Sequence, residues 1–148
     1  MAAVVTTRGV YAAGADALFA KAADWADLKR VMEGAAVYRG LPDGPVVEGE
    51  EIEVDITWFG FLPGGVHHIR VARVDPEARR IEFRESNSTA SRWDHDLTVA
   101  EEGKGAAWTD AVTLEAGWKT FLIARFASWM YRRRHRRRGA LDIETERR

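Results

Sequence analysis

The sequence predicts an α+β domain in which a curved antiparallel sheet of about six to seven strands wraps around one long C-terminal helix. Three observations carry that expectation. From Ala36 to Ala116 apolar and polar residues alternate with period two, as half-buried strands require. Turn-forming residues cut this stretch at short intervals, which favours hairpins between sequential strands. Finally, Trp118 to about Arg138 is a single long helical segment, the one element available to cover the sheet's apolar face.

Taken in order, Val4 to Tyr11 carries β-branched residues and reads as a short strand. After Gly14, the run ADALFAKAADWADLKRVMEG places Leu18, Ala22 and Trp25 at helical spacing. It is read as one helix or two short ones, with a break near Asp24-Trp25 and a stop at Gly34. Val37 to Leu41 is a candidate strand closed by Pro42-Asp43-Gly44-Pro45. In Glu50 to Phe59, Ile52, Val54, Ile56 and Trp58 alternate with Glu51, Glu53, Asp55 and Thr57, the cleanest strand in the chain. Pro63-Gly64-Gly65 is read as the next turn, followed by strands over Val66 to Val74 and Arg80 to Asn87. Ser91 to Glu101 and Ala106 to Ala116 flank Glu102-Gly103-Lys104-Gly105, a strong hairpin signal.

The 148 residues are expected to form a single domain over 1–148, with 139–148 as a flexible tail. A chain of this length buries roughly 70% of its unfolded surface. There are no cysteines, which excludes disulfides, thiolate metal sites and Cys nucleophiles and fits a cytoplasmic location. No basic region followed by a long apolar run opens the chain, and Trp118 to Tyr131 is too short and too charged to span a bilayer. The net charge of −1 hides an asymmetry: six of the 22 Lys and Arg residues lie in the stretch YRRRHRRR, Tyr131 to Arg138, and the rest of the chain is acidic. An acidic body disfavours nucleic acid as a partner. Because two buried guanidiniums already need partners, the last helical turns are expected to run past the sheet edge into water or against acids of the body, with Glu144, Glu146 or glutamates near Glu50 as counter-ions. Homodimerisation is compatible with the sequence and not fixed by it.

Strand parity gives the candidate site. If Glu102 pairs with Gly105, Trp93, His95, Leu97 and Val99 share a face with Trp108, Asp110, Val112 and Leu114. Two polar residues, His95 and Asp110, then point inward among six apolar ones. Two readings stand open for them: an acid–base pair in which the carboxylate orients the imidazole, or buried polar residues satisfied by backbone, solvent or Arg92. His67 and His68 point to opposite faces, so His67 is a cavity candidate, His68 faces solvent, and no metal site is expected. Glu85 shares inward parity with Ile81 and Phe83 and is a weaker inward candidate; a strand-end charge reaching water is the favoured reading. Ile56, Trp58, Trp93, Trp108, Leu97 and Val112 are candidate wall residues. On the C-terminal helix, Trp118, Leu122, Phe126 and Trp129 form one apolar stripe, flanked by Ile123 and Met130 and expected to face the sheet. No GxSxG, P-loop or GxGxxG motif is present.

The final hairpin and helix, notably Arg92-Trp93-x-His95, Trp108-Thr109-Asp110 and the segment after Gly117-Trp118, resemble those of bacterial SRPBCC proteins. That superfamily includes START domains, pollen-allergen-type ligand carriers and polyketide cyclase/dehydrase-like proteins. In element order the resemblance covers nearly the whole chain. It implies a helix-grip fold around an apolar cavity and binding, or transport, of a lipid, quinone, polyketide or other hydrophobic molecule, with no cofactor. The alternative it implies is a cyclase or dehydratase using His95 and Asp110. A third reading, contact with an anionic surface or nucleic acid through Arg132–Arg138, comes from the arginine cluster alone.

Overall fold

The computed structural model describes all 148 residues. Its elements run β1 (Ala3–Tyr11), α1 (Ala15–Ala22), α2 (Trp25–Val31), β2 (Ala36–Arg39), β3 (Glu51–Trp58), β4 (Leu62–Asp75), β5 (Arg80–Ser86), β6 (Arg92–Glu102), β7 (Gly105–Glu115), α3 (Thr120–Arg138) and β8 (Asp142–Arg147). The strands form one sheet in the order β2-β3-β4-β5-β6-β7-β1-β8, antiparallel at every pair. The expected break between two short helices falls at Asp24, whose carboxylate accepts from the Ala26 backbone N–H at 2.9 Å and caps α2.

The β6–β7 register is the one inferred from the hairpin signal: Glu102 faces Gly105, His95 faces Val112 and Leu97 faces Asp110. All eight residues assigned to its inner face are buried. The β3–β4 turn differs from expectation. The chain reverses at Phe59–Phe61, where Phe59 and Gly60 adopt left-handed backbone, and Pro63-Gly64-Gly65 lies inside β4. Ile56 pairs with Gly65 and Thr57 with Pro63, so Gly64 is the extra residue of a bulge. A β-carbon there would come within 2.5 Å of the Trp58 indole nitrogen, so the bare Cα is what lets Trp58 lie across the strand.

Residues 139–148 are not a flexible tail. They supply β8, which pairs with β1 from Val5↔Arg147 to Val10↔Asp142 and brings the sheet to eight strands. The strand covers an edge of β1 that would otherwise expose unpaired backbone groups.

Helix α3 packs on β1, β7 and β8 and against α2, on a face rotated from the expected one: Ile123, Phe126 and Met130 turn to the sheet side, whereas Trp118, Leu122 and Trp129 do not. The inward residues are Thr120, Ala124, Ala127, Ser128, Met130, Tyr131 and His135. Trp118 is 84% exposed, Leu122 58% and Trp129 38%. Small side chains win the inner face because Ala124, Ala127 and Ser128 let the helix axis approach the sheet closely, whereas a row of indoles would hold it away.

The arginine-rich turns do not run past the sheet edge into water; Arg138 lies against an acid of the body, Asp27. His135 is fully buried, and the Arg138 side chain is 3% exposed and paired with Asp27 at 2.7 Å. Arg133 donates to the carbonyls of Val31 and Glu33, both at 3.0 Å, and Arg137 to that of Glu33. These cations meet the negative, C-terminal end of α2. Arg132 bonds the Thr145 hydroxyl of β8. The expected counter-ions are not used, because Asp27 and the α2 carbonyls lie directly against the helix.

Candidate ligand cavity

Between α3 and the sheet lies a cavity of about 310 Å³, within the size range of small-molecule sites. Strands β3 to β7 supply Ile56, Trp58, His67, Ile69, Phe83, Glu85, Trp93, His95, Leu97, Trp108 and Asp110; α3 supplies Ile123, Phe126, Met130, Arg134 and Arg138. Trp25 and Leu28 of α2 and Tyr38 of β2 close one end. Nine of the residues singled out by sequence therefore share one cavity: Ile56, Trp58, His67, Trp93, His95, Leu97, Trp108, Asp110 and Phe126. Three do not line it. Val112 is wholly enclosed in the core, Leu122 points to solvent, and Trp129 packs outside against Phe59 and Phe126.

Asp110 is the centre of the polar floor. His95 Nε2 donates to its Oδ1 at 2.7 Å, Trp108 Nε1 donates to the same oxygen at 2.9 Å, and His135 Nε2 donates to Oδ2 at 2.8 Å. Burial favours the protonated acid, but the hydrogen bonds from His135 and His95 outweigh it and hold the Asp110 carboxyl far below the usual range. The network continues beyond His135. The Tyr11 hydroxyl accepts from Arg138 at 3.3 Å, so its own hydrogen is directed to His135 Nδ1, 2.6 Å away. Arg138 is stacked 3.7 Å over the Trp108 ring. Arg92, considered as a partner for this pair, is exposed and binds Asp94 instead.

A second carboxylate faces the same space. Glu85 is not a strand-end charge in water; its Oε1 lies 2.8 Å from His67 Nε2. Burial opposes its ionisation, yet the hydrogen bond from His67 and the charges of His67, His95 and Arg134 hold it below its ordinary value. Asn87 Oδ1 accepts from the Thr89 and Ala90 N–H groups, which turns the amide nitrogen toward His67 Nδ1 at 3.0 Å. His67 and His135 thus have both ring nitrogens engaged.

His95 differs. Its Nε2–H is committed to Asp110, but Nδ1 makes no hydrogen bond within the protein, and its nearest acidic oxygen is Glu85 Oε2 at 3.9 Å. The ring is held by Phe83, stacked at 5.3 Å, and by Tyr131, edge-on at 5.1 Å. An imidazole with one nitrogen fixed to a carboxylate and the other free has the geometry of an acid–base group. No three of the His, Asp and Glu side chains converge as metal ligands.

Sequence reasoning missed Tyr38, Arg134, Arg138, His135 and Tyr11. The first three line the cavity and the other two extend its network. His135 and the arginines were hidden inside a charge run. The available signal was spacing: Tyr131, Arg134, His135 and Arg138 continue the helical face of Ala124 and Ala127.

An antiparallel sheet gripping a long C-terminal helix over a cavity is a helix-grip fold. Comparison with solved structures agrees. The chain is similar to protein CV1439 from Chromobacterium violaceum, at 15% identity, 93% and 96% coverage of the two chains and a TM-score of 0.72. It is similar to a START superfamily protein from Mycobacterium smegmatis, at 12% identity, 91% and 93% coverage and a TM-score of 0.68. A third is norcoclaurine synthase from Thalictrum flavum in complex with dopamine and hydroxybenzaldehyde, at 15% identity, 92% and 86% coverage and a TM-score of 0.64. No curated protein sequence matches. Residues 31–140 match the family described as "Domain of unknown function (DUF8410)", and the chain belongs to that family. No helix is long and apolar enough to cross a membrane.

Proposed function

We propose that the cavity binds an amphiphilic small molecule, its apolar body against Ile56, Trp58, Ile69, Trp93 and Phe126 and its polar end at His95 Nδ1. The observation that carries this reading is the free nitrogen of His95, directed by Asp110 into a cavity that Ile56, Trp58, Trp93 and Phe126 also line. Affinity comes from apolar burial, about 2.5 kcal/mol for each ~100 Å² removed from water, less the cost of ordering the ligand. The complex of norcoclaurine synthase with two small aromatic molecules supports an aromatic-lined cavity of this fold as a binding site.

Native mass spectrometry of the purified protein tests it, with tryptophan fluorescence titration of apolar probes as the second measurement. A co-purifying small molecule, or saturable quenching by a probe, is expected. Protein that carries nothing and takes up no probe would overturn the reading.

A second reading, catalysis of a cyclisation or dehydration as in polyketide cyclases, is favoured by the orientation of His95. Asp110 fixes its tautomer and Glu85 stands close to the other nitrogen, so His95 would take a proton from one position of the ligand and return it at another. Ligand turnover by the wild type and its loss in His95→Gln, with binding retained, separates a catalyst from a carrier.

A further inference from the structure

Two arginines one helical turn apart on the inner face of α3 meet opposite surroundings. Arg138 forms a two-pronged pair with Asp27, stacks on Trp108 and donates to Tyr11. Arg134 also lines the cavity, yet no carboxylate lies within ion-pairing distance of it. Its contacts are the sulfurs of Met32 at 3.3 Å and Met130 at 3.6 Å, the Tyr38 hydroxyl at 3.5 Å and the face of Tyr131 at 4.8 Å. Thioether sulfur is a weak acceptor and the phenol is at the limit of hydrogen bonding. Nη1 has no partner at all, and it is not among the sealed, unpaired atoms of the protein, so it remains reachable. A guanidinium carries five donors in a planar fork suited to carboxylates.

The cavity's own acids act on Arg134 through charge at a distance, and neither hydrogen-bonds to it. Glu85 is engaged by His67, and Asp110 by His95, Trp108 and His135. We propose that the molecule held in the cavity carries a carboxylate, which Arg134 binds through its free donors while the apolar body fills the aromatic enclosure. This rests on the cavity being a ligand site and adds the chemical class of the ligand.

The test compares matched acids and alcohols, decanoate with decan-1-ol and naphthalene-2-carboxylate with naphthalene-2-methanol, by calorimetry and tryptophan fluorescence at neutral pH. Wild-type protein should bind the acids more tightly than the alcohols by roughly tenfold or more. Arg134→Met, whose side chain suits the surrounding sulfurs, should lose that preference while alcohol affinity stays within about twofold. Arg134→Lys, which keeps the charge but not the fork, should fall between and serves if the methionine variant does not fold. Equal wild-type affinity for acids and alcohols would overturn the carboxylate assignment and leave the cavity reading standing. A preference that survives in Arg134→Met would assign the acid to another group and overturn it as well. Failure of every probe to bind would remove the ligand cavity and this inference together.

Discussion

The imidazole of His135 rests on the bare Cα of Gly9: a β-carbon at that position would stand 2.6 Å from Nδ1 and 2.8 Å from Cγ. The contact puts the ring between Tyr11 and Asp110. Any side chain on residue 9 must displace it. Gly9→Ala is expected to destabilise the protein by about 2 kcal/mol, the usual cost of overpacking a closed core. Urea denaturation measures it, and an unchanged midpoint would mean that the ring is free to shift.

Asp110→Asn replaces an acceptor of three N–H donors with a group that donates from one side. One of His95, Trp108 and His135 must then lose its acceptor. The expected loss is about 3 kcal/mol. Its spectroscopic mark is a changed chemical shift of the His95 Nε2–H signal, which an unrelated packing defect would leave alone.

Acid should find the same carboxylates. Asp110 and Glu85 are both held below their ordinary values in the folded protein. Their stabilisation is complete above the unfolded range near ~4 and disappears as the pH falls through it toward the folded values. Unfolding free energy should therefore be level from neutral pH to roughly 5 and drop below about 4. The Asp110→Asn curve should drop less steeply.

The three tyrosines offer a test at the other extreme. Burial pushes Tyr11 up to about 12, against the opposing pull of Arg138, and raises Tyr38 and Tyr131 too. No phenolate absorbance should appear in the folded protein near pH ~10, where the unfolded chain titrates. Stability is fully present below that pH and is lost as the pH rises through the folded values. A normal tyrosine titration in folded protein would show an open network.

The two faces of α3 should respond oppositely to substitution. Leu122→Ser, at an exposed site, is expected to change stability by less than about 0.5 kcal/mol. Ala127→Leu, at a fully buried one, should cost about 2 kcal/mol. The reverse ranking would restore the aromatic stripe as the inner face.

How legible the molecule is in its sequence depends on the kind of signal. Strand alternation and the Gly103 hairpin were enough to pair His95 and Asp110 on one inner face, because register in a hairpin is local. The helix face was misjudged because hydropathy weights Trp118 and Leu122 above Ala124 and Ala127, whereas close packing rewards small size. The arginines were misplaced because Asp27 and the Val31 carbonyl lie about a hundred residues upstream and carry no local mark. Strand β8 was overlooked although Ile143 and Thr145 alternate with acids, since both of its faces are largely polar.

The attachments of α3 are unevenly distributed along its length. His135, Arg133, Arg138 and the return of the chain into β8 fasten its last turns to the sheet and to α2. Its first turns present Phe121 and Leu122 to solvent. A molecule in the cavity therefore meets a helix whose last turns are tied by charged groups, while its first turns are held by the burial and hydroxyl bonds of Thr120 and by Ala124.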